Sequence, residues 1–224
     1  MEDGVISSTE EINNRQKNLI GDYSNTTVLI VGLGGIGSWC GINLSLLGVG
    51  NLILFDDDRI ENSNLNRTLF KLSQVGQYKC TAVKELISER RKDTIVLTNN
   101  ELFIIEHFKK YQDVDYIFDC TDKLILRNEI AQFVNDTSGN IPQYVKLGYD
   151  GYEGTVSMNN FDSGLWGEDP SSYSIVPSFF GTPSILASIA IIEMILKRKK
   201  QSKTVHFNVK KILTTMEEYN KVKM

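Results

Sequence analysis

The stretch VLIVGLGGIG, Val28 to Gly37, decides the fold. A short apolar run rich in β-formers meets a glycine cluster, and a helical pattern then continues to about Leu47. Gly32-x-Gly34-x-x-Gly37 places three glycines with separate physical uses. Gly32 permits a tight turn, Gly34 lets backbone approach a phosphate, and Gly37 allows helix and strand to pack closely. The helix start offers free N–H groups and a positive dipole end to an anion. Asp56, 24 residues beyond Gly32 at the tip of the next apolar run, is placed to bind ribose hydroxyls. A nucleotide is the expected ligand, and the glycines alone leave dinucleotide and ATP both open.

Working outward, NLILFD (51–56), TIVLTN (94–99) and YIFDC (116–120) read as further strands, with helical segments at 79–91 and 124–134. Strands alternating with helices imply parallel βαβ units and an α/β, Rossmann-like ATP-binding fold, mainly parallel and flanked by helices. GTVSMNNF (154–161) and TVHFNV (204–209) read as antiparallel strands extending the sheet in the C-terminal third. The expected organisation is an arm over 1–26 with a short helix, then one domain over 27–224. Within that domain, 27–148 is the nucleotide-binding half and 149–224 a substrate and dimer half. Residues 162–181, rich in Gly, Pro and Ser, form a long loop of the kind that serves as a lid or binding segment. The apolar helix Ile185–Leu196 is too short to span a bilayer, and the KRKK run 197–200 complements its negative end.

The chain has 224 residues, enough for a substantial core, with 41% hydrophobic and 23% charged residues, ordinary for a soluble protein. A net charge of −4 argues against nonspecific nucleic-acid or anionic-membrane binding. The opening MEDGVISSTEEINN is polar and acidic, unlike a signal peptide, so a cytoplasmic protein is expected. The three cysteines, Cys40, Cys80 and Cys120, form no CxxC pair, which predicts no zinc site and small buried hydrophobes instead. His107 and His206 fall in no motif and read as structural.

A second stretch, FDDDRIENSNLNR, Phe55 to Arg67, narrows the ligand. Three consecutive acids repel one another unless cations or hydrogen-bond donors lie close by. A dehydrogenase needs only the ribose acid. Here SNLNR adds Asn64 and Arg67, VGQYK adds Lys79, and DCTD (Asp119–Asp122) ends the fourth strand, where open parallel sheets bind ligands. ATP brings a train of negative phosphates and Mg²⁺, a hard cation that prefers oxygen ligands. A strand-tip carboxylate, an arginine and a lysine are the parts such a ligand requires.

GxGxxG, DDDxIExSNLNR, VGxxK and DCTD, in this order from Gly32 to Asp122, resemble the ThiF/MoeB family of ubiquitin-activating-like adenylating enzymes. The resemblance implies ATP- and Mg²⁺-dependent attachment of AMP to the C-terminal carboxylate of a ubiquitin-like sulfur carrier or a ribosomal peptide, with release of pyrophosphate. It implies a nucleotide site of Gly32, Gly34, Gly35, Gly37, Asp56, Asp58, Asn64, Arg67, Lys79 and Leu102, with ribose on Asp56 and adenine near Asn100 to Leu102. Asn64, Arg67 and Lys79 take the phosphates and Asp122 the magnesium. NNRQ resembles the family's arginine finger, making Arg15 a group that reaches the neighbouring subunit's triphosphate in a homodimer. The chemistry agrees, because a carboxylate already ionised near neutral pH needs no general base. Fixed cations and a metal can act by positioning and charge stabilisation.

The chain departs from the pattern in four places. It has no paired CxxC, and no cysteine follows Cys120 in this sequence to take a thioester. Thr68 stands where glutamine is usual and Lys123 where asparagine is usual; Lys123 reads either as a phosphate or substrate contact or as a solvated side chain. The expected reaction therefore stops at the acyl-adenylate. Two other functions compete: a catalytically silent partner subunit that docks a carrier or peptide, and a nicotinamide oxidoreductase. A silent partner would be expected to lose Arg67, Lys79 or Asp122, and all three are present. Only the glycine loop and Asp56 favour the oxidoreductase.

Overall fold

Val28 to Val31 are apolar without alternation because their strand is covered on both faces, the signature of a central parallel strand. The protein was analysed as a computed structural model that describes residues 12–16, 18–111, 113–139, 141–161, 179–196 and 202–212. Among them the strands are β1 (Thr27–Val31), β2 (Asn51–Phe55), β3 (Ile95–Asn99), β4 (Tyr116–Asp119), β5 (Gln143–Asp150), β6 (Glu153–Met158) and β7 (Lys203–Asn208). The helices are α1 (Gly35–Leu47), α2 (Lys79–Ser88), α3 (Leu124–Asp136) and α4 (Gly181–Ile195). Most of the long loop, residues 162–178, and the KRKK run lie outside the described residues.

The strands form one sheet in the order β3-β2-β1-β4-β5-β6-β7. β1 to β5 run parallel, and β6 and β7 continue antiparallel. The chain moves outward from β1 to β3, then crosses to β4 on the other side of β1. The switch point is therefore between β1 and β4, and a crevice opens there beyond the carboxyl ends of the strands. Helices α1, α2 and α4 cover one face through Val28, Ile30, Leu52, Leu54, Phe118 and Val145. Helix α3 and the segment from Phe103 to Val114 cover the other through Leu29, Val31, Ile53, Phe55 and Ile117. Helix α1 is buried on nearly every side and ends at Gly48, whose φ of 96° gives the left-handed cap that glycine adopts without strain.

β5 was not expected as a strand. Lys146 interrupts its apolar run, yet it is only 1% exposed and lies opposite Asp119 in the sheet register. The ends of the other elements fall within a few residues of expectation; the largest differences are that α4 begins at Gly181 rather than Ile185 and that α2 stops at Ser88 rather than Arg91.

Candidate active site

The glycine loop joins β1 to α1. Gly32 has a φ of 86°, and a Cβ there would lie 3.0 Å from the Cys120 carbonyl oxygen, so turn and packing both require glycine. A Cβ on Gly37 would run into the Gly32 carbonyl, which explains the close approach of α1 to the loop. A Cβ on Gly34 would meet nothing within 4 Å, so the loop faces open space where a ligand can approach.

Asp56, at the end of β2, is tied to this loop. Its Oδ2 accepts the Leu33 N–H at 2.6 Å and its Oδ1 accepts the Asp58 N–H at 2.9 Å. The carboxylates of Asp56, Asp57 and Asp58 converge to within 4.8 Å of one another, and Lys79 relieves the repulsion. Lys79 Nζ lies 2.6 Å from Asp58 Oδ2 and 3.5 Å from Asp56 Oδ1. Burial raises the Asp56 carboxyl above its usual value, against the opposing pull of Lys79 and the two N–H groups. Burial also presses the Lys79 ammonium downward, but Asp56 and Asp58 more than offset it, so its pKa rises. The two directions coexist because Lys79 is shared and makes its shorter contact with the exposed Asp58. Lys123 Nζ approaches Asp57 Oδ1 at 3.8 Å, a half-exposed pair worth little energy that links the loops after β4 and β2.

The SNLNR segment folds back over the start of α1. Asn64 accepts the Glu61 N–H on its side chain at 3.0 Å, and Thr68 Oγ1 donates to the Asn64 carbonyl at 2.9 Å. The Trp39 indole on α1 donates to the Arg67 carbonyl at 3.1 Å, and Arg67 Nη1 donates to Ser63 at 2.6 Å. Arg67 Cδ stands 3.5 Å from where a Gly35 Cβ would be, so the arginine reaches the first residue of α1. Leu102 follows β3 and is 42% exposed beyond the same carboxyl edge of the sheet.

Across the switch point, Asp122 is exposed on the loop after β4, while Asp119 is fully buried. Asp119 Oδ2 accepts the Tyr144 hydroxyl at 2.6 Å and lies 3.4 Å from Arg127 Nε. Arg127 also donates to the Thr121 carbonyl and, at 2.8 Å, to the Leu147 carbonyl, fastening the Asp122 loop to β5. Burial, then the Asp119 charge, hold the Tyr144 phenol well above its usual value. The sequence reading missed Arg127 and Tyr144. The available signal was an arginine on the apolar face of a helix, between Leu126 and Ile130, where a charge demands a buried partner.

Gly32, Gly34, Gly35, Gly37, Asp56, Asp58, Arg67 and Lys79 thus gather around one crevice, with Asn64, Leu102 and Asp122 on its surrounding loops. Arg15 does not join them. It is exposed beside Gln16, whose side chain donates to the Leu46 carbonyl at 2.8 Å, at the opposite end of α1 from the glycine loop. A helix of that length spans about 18 Å, more than a side chain can bridge. His107 packs against Phe55 and Phe103, and His206 Nδ1 hydrogen-bonds the Thr155 hydroxyl at 2.8 Å, both within the framework. Cys40 and Cys80 are buried, and burial pushes the Cys80 thiol up to about 12.

A family model described as the ThiF family matches residues 11–216. The chain belongs to the ThiF family. Its ThiF relatives include ubiquitin-like modifier-activating enzyme 5 of Dictyostelium discoideum, 29% identical over 83% of this chain and 49% of the relative. The Aedes aegypti protein of the same name is 33% identical over 61% of this chain and 35% of the relative. This ThiF chain therefore spans about half, or less, of the length of these relatives. The fold is shared with Escherichia coli MccB bound to MccA-N7isoASN, at TM-score 0.69 and 20% identity over 91% of this chain and 73% of that one. It is shared also with E. coli TcdA, a tRNA N6-threonylcarbamoyladenosine dehydratase, at TM-score 0.68 and 18% identity over 86% of this chain and 97% of that one.

Proposed function

We propose that the protein adenylates the C-terminal carboxylate of a small protein, such as a ubiquitin-like sulfur carrier, or of a ribosomally made peptide. The observation that carries this reading is the meeting of separate motifs at the switch point. Asp56 hydrogen-bonds the glycine loop, Arg67 abuts the first residue of α1, and Asp122 stands exposed on the loop after β4. Relatives named as modifier-activating enzymes and a structural neighbour seen with MccA support the substrate class.

In this reading Asp56 binds the ribose, Leu102 and its neighbours border the adenine, and Asn64, Arg67 and Lys79 face the phosphates. The carboxylate of Asp122 is a hard oxygen donor of the kind magnesium prefers, so the site fits that ion. Bound there, magnesium would supply charge neutralisation on the phosphates. The substrate carboxylate attacks the α-phosphorus, the bond to the β-phosphate breaks, and pyrophosphate leaves with the electron pair. Fixed positive groups lower the repulsion between the two reacting anions. Buried thiols, with Cys80 raised to about 12, support a reaction that ends at the acyl-adenylate without an enzyme thioester.

The exposure of Arg15 at the far end of α1, beside Gln16 anchored on the Leu46 carbonyl, supports a homodimer in which each arm serves its neighbour's triphosphate. The test is ATP–pyrophosphate exchange with candidate carriers or peptides encoded beside this gene, in wild type and Asp122→Ala. Exchange that disappears in a folded Asp122→Ala protein is expected. Undiminished exchange in that variant would remove the metal role of Asp122.

A further inference from the structure

With Arg67 facing the phosphates, the position of its guanidinium decides what it can do. The surrounding loop is knit to itself. The Arg67 N–H donates to the Asn64 carbonyl at 3.2 Å, and Thr68 Oγ1 donates to the same carbonyl at 2.9 Å. Arg67 Nη1 donates to the Ser63 carbonyl at 2.6 Å and to Asn66 Oδ1 at 3.0 Å. Those last two acceptors are neutral oxygens, so they orient the guanidinium without cancelling its charge. They fix the shape of the segment but not its register along α1. Leu65 and Leu69, two residues to either side of Arg67, pack on the core, and apolar contact has no direction. The Trp39 indole supplies a directional tie. Its N–H donates to the Arg67 carbonyl at 3.1 Å, joining α1 to the very residue whose side chain faces the phosphates. Trp39 follows Gly35 by about one turn, so the two share a face of α1, and a long helical side chain leans back toward the N-terminus. Bare backbone at Gly35 leaves room for the arginine stem, whose Cδ is 3.5 Å from where a Cβ would stand. Trp39 holds the backbone of that arginine from one turn behind.

Resting on the ATP reading, we infer that Trp39 is a positioning residue: its indole N–H on the Arg67 carbonyl sets the register of the guanidinium against the ATP phosphates. Trp39 touches no reacting atom and acts through Arg67. Without this bond the segment keeps its internal hydrogen bonds but shifts as a unit relative to α1. A guanidinium misplaced by about 1 Å loses the alignment on which a charge-assisted hydrogen bond depends. The tryptophan ring serves packing and its N–H serves register, so the two roles separate on substitution.

The test is calorimetric titration of the purified chain with Mg·ATP and with adenosine, which carries no phosphate. Trp39→Phe keeps an aromatic ring against the core and removes the N–H. It should weaken Mg·ATP about fivefold, the size of one neutral hydrogen bond, and leave adenosine within about twofold, which also reports a folded site. Arg67→Met should weaken Mg·ATP by about tenfold or more, as expected for a hydrogen bond to a charged group. In that background Trp39→Phe should cause no further loss, because residues acting through one contact are not additive. A Trp39→Phe loss that persists beside Arg67→Met would route Trp39 through another group and overturn the inference. Equal weakening of both ligands by Trp39→Phe would mean a packing role and overturn it as well. Unchanged Mg·ATP affinity in Trp39→Phe would do the same. Failure of the ATP reading itself looks different: the wild-type protein would bind neither ligand, or Arg67→Met would bind Mg·ATP as tightly as wild type.

Discussion

Replacing Lys79 with methionine tests the electrostatics of the acid cluster. Lys79 is 7% exposed and Asp56 9%, so the substitution leaves a buried carboxylate without its cation. Removing one partner of a buried pair costs about 3–5 kcal/mol. Asp56 keeps the Leu33 and Asp58 N–H donors, which points to the lower end, about 3 kcal/mol. The Asp58 side chain is 66% exposed, so its contact adds little. Urea unfolding at pH 7 and pH 5 measures the effect. Burial already raises the Asp56 pKa, and loss of Lys79 raises it further. A carboxyl with a folded pKa above its unfolded value is penalised above that folded pKa and relieved as pH falls through it, so the variant's deficit should shrink at pH 5. In the wild type, Lys79 has the raised value. Its stabilisation is complete below its ordinary pKa and is lost as alkali passes the folded one. A deficit under about 1 kcal/mol at pH 7 would refute the reasoning, given the size expected for a buried pair. A deficit that widens on acidification would do the same.

Mixing Arg15→Ala with Asp122→Ala protein should restore exchange, since each mixed dimer would hold one intact site; silence despite confirmed mixing would count against action across the interface. Arg127→Met removes the guanidinium beside the fully buried Asp119 and the side-chain donor that the Thr121 and Leu147 carbonyls share. It should cost about 3 kcal/mol in urea unfolding. Converting Cys40, Cys80 and Cys120 together to serine should leave adenylate formation intact in whatever fraction folds, as measured by exchange per folded molecule.

Strands β1 to β4 were legible because they are mainly apolar runs alternating with helical segments, and because the first turn must be glycine at Gly32 and Gly37. The convergence of Asp56 on the glycine loop followed from their spacing. What relieves three adjacent acids did not, because Lys79 comes from a helix 21 residues beyond Asp58 and only the fold brings it back. β5 was missed because Lys146 disguises a buried strand. The resemblance supplied Arg15, but no motif reveals that it lies a helix length from its own glycine loop.

That separation has a consequence for how the activity scales. The Gln16 amide on the Leu46 carbonyl and Asn13 beneath Arg91 moor the arm to the rear of its own subunit. On the proposal that Arg15 serves a neighbouring subunit, a molecule by itself would hold every part of the proposed machinery except the one it carries facing outward. In the proposed homodimer, turnover per molecule should then collapse on dilution below the dimer dissociation constant, making local abundance, rather than nucleotide supply, the throttle.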